Sequence, residues 1–152
     1  MSGRWRRRCV AELPFDWETM DVRCERVKQL PNVSVSTLCS LRLTNITPEF
    51  CPSFPRQFDW GNTSEGSEHL SLCILDRFLP PLVGEQVVIN GTAHNCSQAA
   101  WVLHLPFLMD VIRHLGRKNA EVHGHFTRQW IARNAAHYKL TPRHYCLTTE
   151  AP

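Results

Sequence analysis

The sequence predicts an α+β fold in which helices pack on one face of a small antiparallel sheet. Strand-like segments with β-branched residues dominate the first 60 residues, whereas helix-like apolar patterns dominate from residue 66 onward. Strands that come early and helices that come late in a chain favour segregated layers over alternating βαβ units. A length of 152 residues with 43% hydrophobic content also suits one globular domain, residues 1–152.

Two predicted strands open the fold. Residues 22–30 and 33–43 alternate partly between apolar and polar positions, and a Pro-Asn pair between them predicts a turn. The proline-rich residues 45–55 are predicted to form a loop. A short strand is then expected over residues 56–60, ending in Trp60, which we expect to be buried.

The clearest helix is predicted over residues 66–79. Gly61 permits a sharp turn before it, and Ser64 or Ser67 can cap its free N–H groups. Its apolar residues recur with a helical period, and two prolines that begin at Pro80 stop it.

A β-hairpin is predicted next in the chain. Residues 85–89 are rich in β-branched side chains, and Asn90-Gly91 adopts the positive φ angles of a tight hairpin turn readily. The return strand is expected over residues 92–94.

Asn95 or Ser97 can cap a second helix, which Pro106 either interrupts or replaces with a new helix at its own position. The apolar face that follows ends at Gly116.

The last helix is predicted over residues 120–138. Gly124 in its interior would cost about 1 kcal/mol relative to alanine. Phe126 and Trp130 are expected to pack in the core.

Charge is divided unevenly along the chain. Residues 29–110 hold three Lys and Arg against seven acids, whereas residues 111–152 hold seven against two. Six of the eight histidines lie from His104 onward. We therefore expect a basic helical element over residues 113–144 on an acidic body, together with a disordered basic N-terminus over residues 1–12.

The cysteines and asparagines bear on the compartment. The seven cysteines are odd in number and widely spaced without a C-x-x-C pair, and neither a signal-peptide core nor a membrane-spanning apolar run is present. We expect reduced, buried cysteines, no membrane association and a cytoplasmic location in a host cell. The five N-x-Ser/Thr triplets are then interpreted as turn and cap chemistry.

Several active-site patterns are excluded. Gly61 and Gly66 have phosphate-loop spacing but lack the lysine, and Asn62 stands where a nucleophile elbow needs glycine. A Cys–His pair that only the fold brings together stays open.

Metal-ligand residue types also occur two residues apart, a spacing that converges on a strand or turn but diverges by about 200° on a helix. These pairs are His94 with Cys96, His123 with His125, and His144 with Cys146. We expect no catalytic residue, no bound metal and no cofactor.

The candidate binding residues are the basic side chains of the C-terminal third. They could contact phosphates, with aromatic residues between them stacking on bases, and Gly116 allows a loose helix-turn-helix. A solvated face or a protein-docking face explains the same pattern equally well. The candidate residues are Arg113, Arg117, Lys118, Arg128, Arg133, Lys139 and Arg143.

Short motifs, mainly between residues 30 and 80, resemble a small domain family of unknown function carried by phages and plasmids. The chain departs from it by an insertion at residues 51–55 and an extra segment at residues 83–115. The similar segments are L-x-L-x-N-x-T-P at 41–48, F-x-W-G at 58–61, Gly66, L-x-L-x-I-L at 70–75 and, more weakly, a helix at 126–132.

That resemblance implies a mobile-element setting but no chemistry. We therefore expect a non-enzymatic interaction protein that binds a host or phage macromolecular complex, with inhibition of a host defence complex, such as a CRISPR effector, as the specific hypothesis. The alternatives are a small nucleic-acid-binding accessory protein and, third, a metal-dependent enzyme. The partner and the oligomeric state are left open.

Overall fold

The computed structural model describes residues 15–28, 40–54, 57–138 and 140. A short 3-10 turn, Ile112–His114, separates the second helix from the last strand. Helices and strands alternate along the chain, but every described strand pair is antiparallel, which confirms the predicted α+β class. The elements in chain order are β1 Val22–Lys28, β2 Ser40–Thr44, α1 Glu65–Phe78, β3 Gln86–Ile89, β4 Thr92–Asn95, α2 Gln98–Asp110, β5 Ala120–Val122 and α3 Gly124–His137.

The described strands form two small antiparallel sheets. In the first, β1 lies between β2 and β5, so that Cys24 faces Thr44 on one side and Ala120 on the other. The second is the β3–β4 hairpin. The predicted pairing of the first two strands is confirmed where it is described, whereas residues 1–14 and 29–39 lie outside the described ranges.

The hairpin follows its predicted turn chemistry. Asn90 and Gly91 have φ angles of +49° and +83°, the left-handed values that a two-residue hairpin turn requires. Buried side chains from both sheets and from all three helices then join one hydrophobic core.

The predicted helix over 120–138 is wrong at its start. Residues Ala120–Val122 pair with β1 as a strand, and α3 begins only at Gly124. A Cβ atom at Gly124 would lie 1.8 Å from the carbonyl oxygen of Thr19. Glycine is therefore required by a close backbone approach at the helix start.

The predicted strand at 56–60 is also wrong over its described residues, because 57–60 have no strand pairing. Trp60 is fully buried, as predicted, and Gly61 has a φ angle of +76°. The turn into α1 is thus confirmed, while the segment before it is an irregular one that packs as part of the core.

α1 begins and ends as its sequence predicts. The Ser64 hydroxyl accepts the backbone N–H of Ser67, Glu65 and Glu68 lie in the first turn, and the helix ends at Phe78. Ten of the fourteen residues of α1 are buried, which makes it the central helix.

α2 runs through Pro106 without interruption, contrary to prediction. Proline removes one backbone hydrogen bond, yet Leu103, Phe107 and Leu108 stay buried on both sides of it. Packing of these side chains therefore outweighs the local penalty.

Candidate interaction surface

The outer face of α2 exposes a row of apolar side chains. Val102, Leu105 and Met109 expose 38%, 50% and 41% of their surface. Their spacing of three and then four residues places them along one line of the helix. We call these three residues the α2 stripe.

The sequence of α2 is that of a helix covered on all sides. Between Gln98 and Asp110 it contains no charged Asp, Glu, Lys or Arg, and its one polar residue there, His104, is buried. Surface helices normally carry a polar outer face, whereas a helix that is apolar all round is normally enclosed. The α2 stripe thus has the composition of an interface while lying at the surface.

Buried polar contacts fix α2 against α1. At its start, the Ser97 hydroxyl donates to the Leu79 carbonyl over 2.6 Å. In its middle, the Ser71 hydroxyl donates to the His104 carbonyl over 2.6 Å, and His104 Nε2 lies 3.0 Å from Glu68 Oε2. These contacts hold the helix in one orientation, so the α2 stripe is preorganised.

The other end of α2 is held by α3. Trp130 packs edge-on against Phe107 with ring centroids 4.9 Å apart, and its Nε1 donates to Asp110 Oδ2 over 3.0 Å. Trp130 is buried, as predicted. Phe126, predicted to lie in the core, is 41% exposed and is therefore a correction.

The predicted basic residues are spread over several places. Arg128 is half-buried, with its guanidinium 5.5 Å from the Phe78 ring centroid. Arg133 is exposed five residues later, about 140° further round α3. Three others, Arg113, Arg117 and Lys118, are exposed between α2 and β5. Lys139 and Arg143 lie outside the described residues.

The helix-turn-helix interpretation is wrong. Two helices in that motif are joined by a turn of three or four residues. Here residues 111–123 separate α2 from α3 and contain both a 3-10 turn and the strand β5. The predicted basic helical element at 113–144 is correspondingly α-helical only from Gly124 to His137 within its described part.

Asp59 forms the most connected polar centre before α1. Burial opposes its ionisation, but the Asn62 side chain, the Trp60 N–H and the Arg26 guanidinium all donate to its carboxylate, which lowers its pKa to about 2. The Arg26 guanidinium also lies 4.6 Å from the centroid of the Trp60 ring. Because both of its carboxylate oxygens accept hydrogen bonds, Asp59 stabilises the turn that precedes α1.

The pairs of metal-ligand residue types considered from the sequence belong to no common metal-ligand group within the described residues. His94 is bonded to a serine hydroxyl, while Cys96 is buried, which raises the pKa of its thiol to about 12. His123 precedes α3 and His125 lies exposed in its first turn. The pair at 144–146 lies outside the described residues.

The cysteine and asparagine predictions hold only in part among the described residues. Asn62 agrees with its interpretation, because its Oδ1 accepts the Ser64 N–H two residues later. Asn45 does not: it is buried and bonds to the Arg23 N–H and the Asp21 carbonyl, which are distant in sequence. The described cysteines form no disulfide: they are Cys24, Cys51, Cys73 and Cys96. Cys51 is exposed, which differs from the expectation of burial.

Comparisons with known proteins add no relative. Neither a protein-family model, a curated protein nor a solved structure matches the chain. The resemblance of its short motifs to a phage and plasmid family therefore stays a hypothesis. Within the described ranges, none of the helices combines the length and the apolar character needed to cross a bilayer.

Proposed function

We propose that this protein is a non-enzymatic interaction protein that binds another protein through the α2 stripe. The observation that carries the proposal is an outward helix line of Val102, Leu105 and Met109 without a charged residue between the helix ends. Apolar residues at this spacing are how one helix enters a hydrophobic groove of a partner. Methionine adds adaptable, polarisable contact area.

The setting of the proposal comes from the sequence. We place the protein in the cytoplasm of a host cell and its partner in a host or phage macromolecular complex. Inhibition of a defence complex is the specific form that the motif resemblance supports. The exposed basic residues would then steer the encounter, since surface charge changes association rates more than it changes bound contacts.

Capture from host lysate with three proteins tests the proposal. These are the wild-type chain, Leu105→Asp in the α2 stripe and the matched control Ala132→Asp, an exposed position on α3. We expect the same protein to be retained by the wild type and the control, and retention by Leu105→Asp to fall at least tenfold, about 1.4 kcal/mol. Circular dichroism should show all three equally folded.

Equal retention by the two variants would contradict a role for the α2 stripe. Sedimentation velocity on the purified proteins identifies a further outcome. If the wild type self-associates and Leu105→Asp does not, the stripe binds a second copy of the chain instead of a foreign partner. Nucleic acid binding, the alternative function, would be supported by capture that nuclease treatment abolishes.

A further inference from the structure

Three metal-ligating side chains gather where β1 begins and β5 ends. The antiparallel register pairs Val22 with Val122, so Asp21, just before β1, lies opposite His123, just after β5. Glu121 precedes His123 by two residues and shares its side of the strand, because alternate residues of a strand face the same way. The cross-strand pairing brings Asp21 to His123, and the two-residue spacing brings Glu121 to the same side chain, so all three metal-ligating groups lie together.

The distances between these groups suit an ion better than direct bonds. His123 Nδ1 lies 3.8 Å from Asp21 Oδ2 and 3.7 Å from Glu121 Oε1, and all three ligand atoms lie within 4.8 Å of one another. Both distances are too long for hydrogen bonds. Ligands bound at about 2.0–2.2 Å to one ion lie about 3.0–3.5 Å apart, so small side-chain rotations would complete the site.

The Asp21 carboxylate is already oriented for this role. Its Oδ1 accepts the Gly124 N–H over 2.7 Å at the start of α3, which directs Oδ2 toward His123. An outer hydrogen bond of this kind holds a ligand in place at many metal centres. Gly124 also lies so close to the Thr19 backbone that a side chain would not fit there, so the helix start packs directly against the segment before β1.

The surroundings leave room for further ligands. His123 and Glu121 are exposed, and a groove of about 530 Å³ is lined by Asp21 and His123 together with Thr19, His125 and Gln129. Water can therefore fill open coordination positions. Two cations would compete with a bound ion: Arg23, which lies opposite Glu121 in the register, and Arg128, which lines the groove.

We propose that Asp21, Glu121 and His123 bind one divalent first-row transition-metal ion. One imidazole and two carboxylates, without a thiolate, form a nitrogen–oxygen site of the kind that takes Mn²⁺ or Zn²⁺. The ion would tie the start of β1 to the junction of β5 and α3. The expectation of no metal, made from sequence, considered His123 only with His125 on a helix. The proposal does not depend on the α2 stripe.

Titration of tag-free protein with Mn²⁺, followed by NMR, tests the site. Mn²⁺ favours oxygen and nitrogen ligands over thiols, so exposed Cys51 does not compete. We expect paramagnetic broadening of backbone amides centred on residues 20–23 and 120–125 at one equivalent, and a rise in Tm with added Mn²⁺. Broadening centred elsewhere, or spread weakly over many acidic positions, would overturn the proposal.

Point variants then identify the ligands. His123→Ala and Glu121→Gln change exposed side chains and should each weaken Mn²⁺ binding at least tenfold, and Asp21→Asn, which keeps the acceptor for Gly124, should do the same. His125→Ala is the matched control and should bind as the wild type does. Unchanged binding in His123→Ala, or an equal loss in His125→Ala, would overturn the assignment.

Discussion

α1 and α2 pack against each other, yet they distribute polarity in opposite ways. Of its fourteen residues, α1 exposes only Glu65, and its buried residues include Ser67, His69 and Ser71. α2 has an almost wholly apolar sequence, yet it turns the α2 stripe toward water. Each helix thus departs from the usual rule that polar residues face solvent and apolar residues face the core.

The fold explains how α1 can bury polar residues, but it does not explain why α2 exposes apolar ones. Ser67 Oγ donates to Asn62 Oδ1 over 2.6 Å, Ser71 Oγ donates to a backbone carbonyl, and His69 Nε2 bonds to the Glu49 carbonyl. Buried polar groups with such partners carry little net penalty. The α2 stripe, by contrast, is exposed within the described residues, and this exposure is the reason for proposing that it binds a partner.

The largest expected effect on stability distinguishes the buried face of α2 from its exposed face. Phe107→Ala truncates a fully buried ring and should lower the free energy of unfolding by about 3–5 kcal/mol. Leu105→Ala, two residues away in the α2 stripe, should change it by about 0.5 kcal/mol or less. Urea denaturation measures both. Similar losses in the two variants would show that the stripe is part of the core.

The second-largest expected effect is a pH dependence of stability that arises in α1. Burial raises the pKa of Asp76 in α1 to about 6, with help from Glu49, and one of its carboxylate oxygens has no hydrogen-bond partner among the described residues. Because this folded pKa lies above the unfolded value of 3.8, ionisation destabilises the fold as pH rises from about 4 through 6. Asp76→Asn should therefore gain about 2 kcal/mol relative to wild type between pH 4 and pH 8.

Urea denaturation of both proteins across that pH range measures this gain. The variant minus wild-type difference isolates Asp76 from the other titrating groups. A difference that stays constant from pH 4 to pH 8 would mean that the carboxylate is solvated, and that α1 is less enclosed than its neighbours indicate.

A smaller effect of opposite sign is expected at Asp59, in the turn before α1. Its folded pKa of about 2 lies below the unfolded value of 3.8, so its stabilising charge is present above about pH 4 and is lost as pH falls toward 2. Asp59→Asn should remove that acid-sensitive component. Thermal denaturation at pH 5 and at pH 2.5 checks it. Parallel loss of Tm in wild type and variant would contradict the role of Asp59.

Local chemistry accounts for the parts that sequence predicts well. The Ser64 cap, the positive φ of Gly61 and the Asn90-Gly91 turn each depend on a few neighbouring residues, so their signals survive without knowledge of the fold. The helix 66–79 and the hairpin were predictable for the same reason. Charge distribution predicted basic residues but not their separation over α3 and the preceding loop.

Tertiary contacts explain what sequence did not predict. β5 exists because it pairs with β1, and three residues next to a helical pattern carry no strand signal of their own. Without β5, the meeting of Asp21 with His123 could not be foreseen. The α2 stripe had a usable signal, namely a charge-free helix with apolar residues all round, but only the fold shows which line of that helix faces outward.

The smallest effect should be on nucleic acid, where we expect almost no binding. A fluorescently labelled oligonucleotide, single- or double-stranded, should bind the isolated protein with a Kd above about 10 μM at physiological salt, as non-specific phosphate contacts do. Arg117 lies before β5, whereas Arg128 and Arg133 lie about 140° apart around α3, so these three residues do not form one row along a helix. Leu105→Asp should leave this weak binding unchanged.

Charge reversal at Arg117 and Lys118 should slow protein-partner association without abolishing it. The opposite outcome would be submicromolar oligonucleotide binding whose dependence on salt concentration, as the slope of log K against log [salt], falls by nearly one unit for each reversed residue. The basic surface would then be the primary binding site, and the α2 stripe would be secondary.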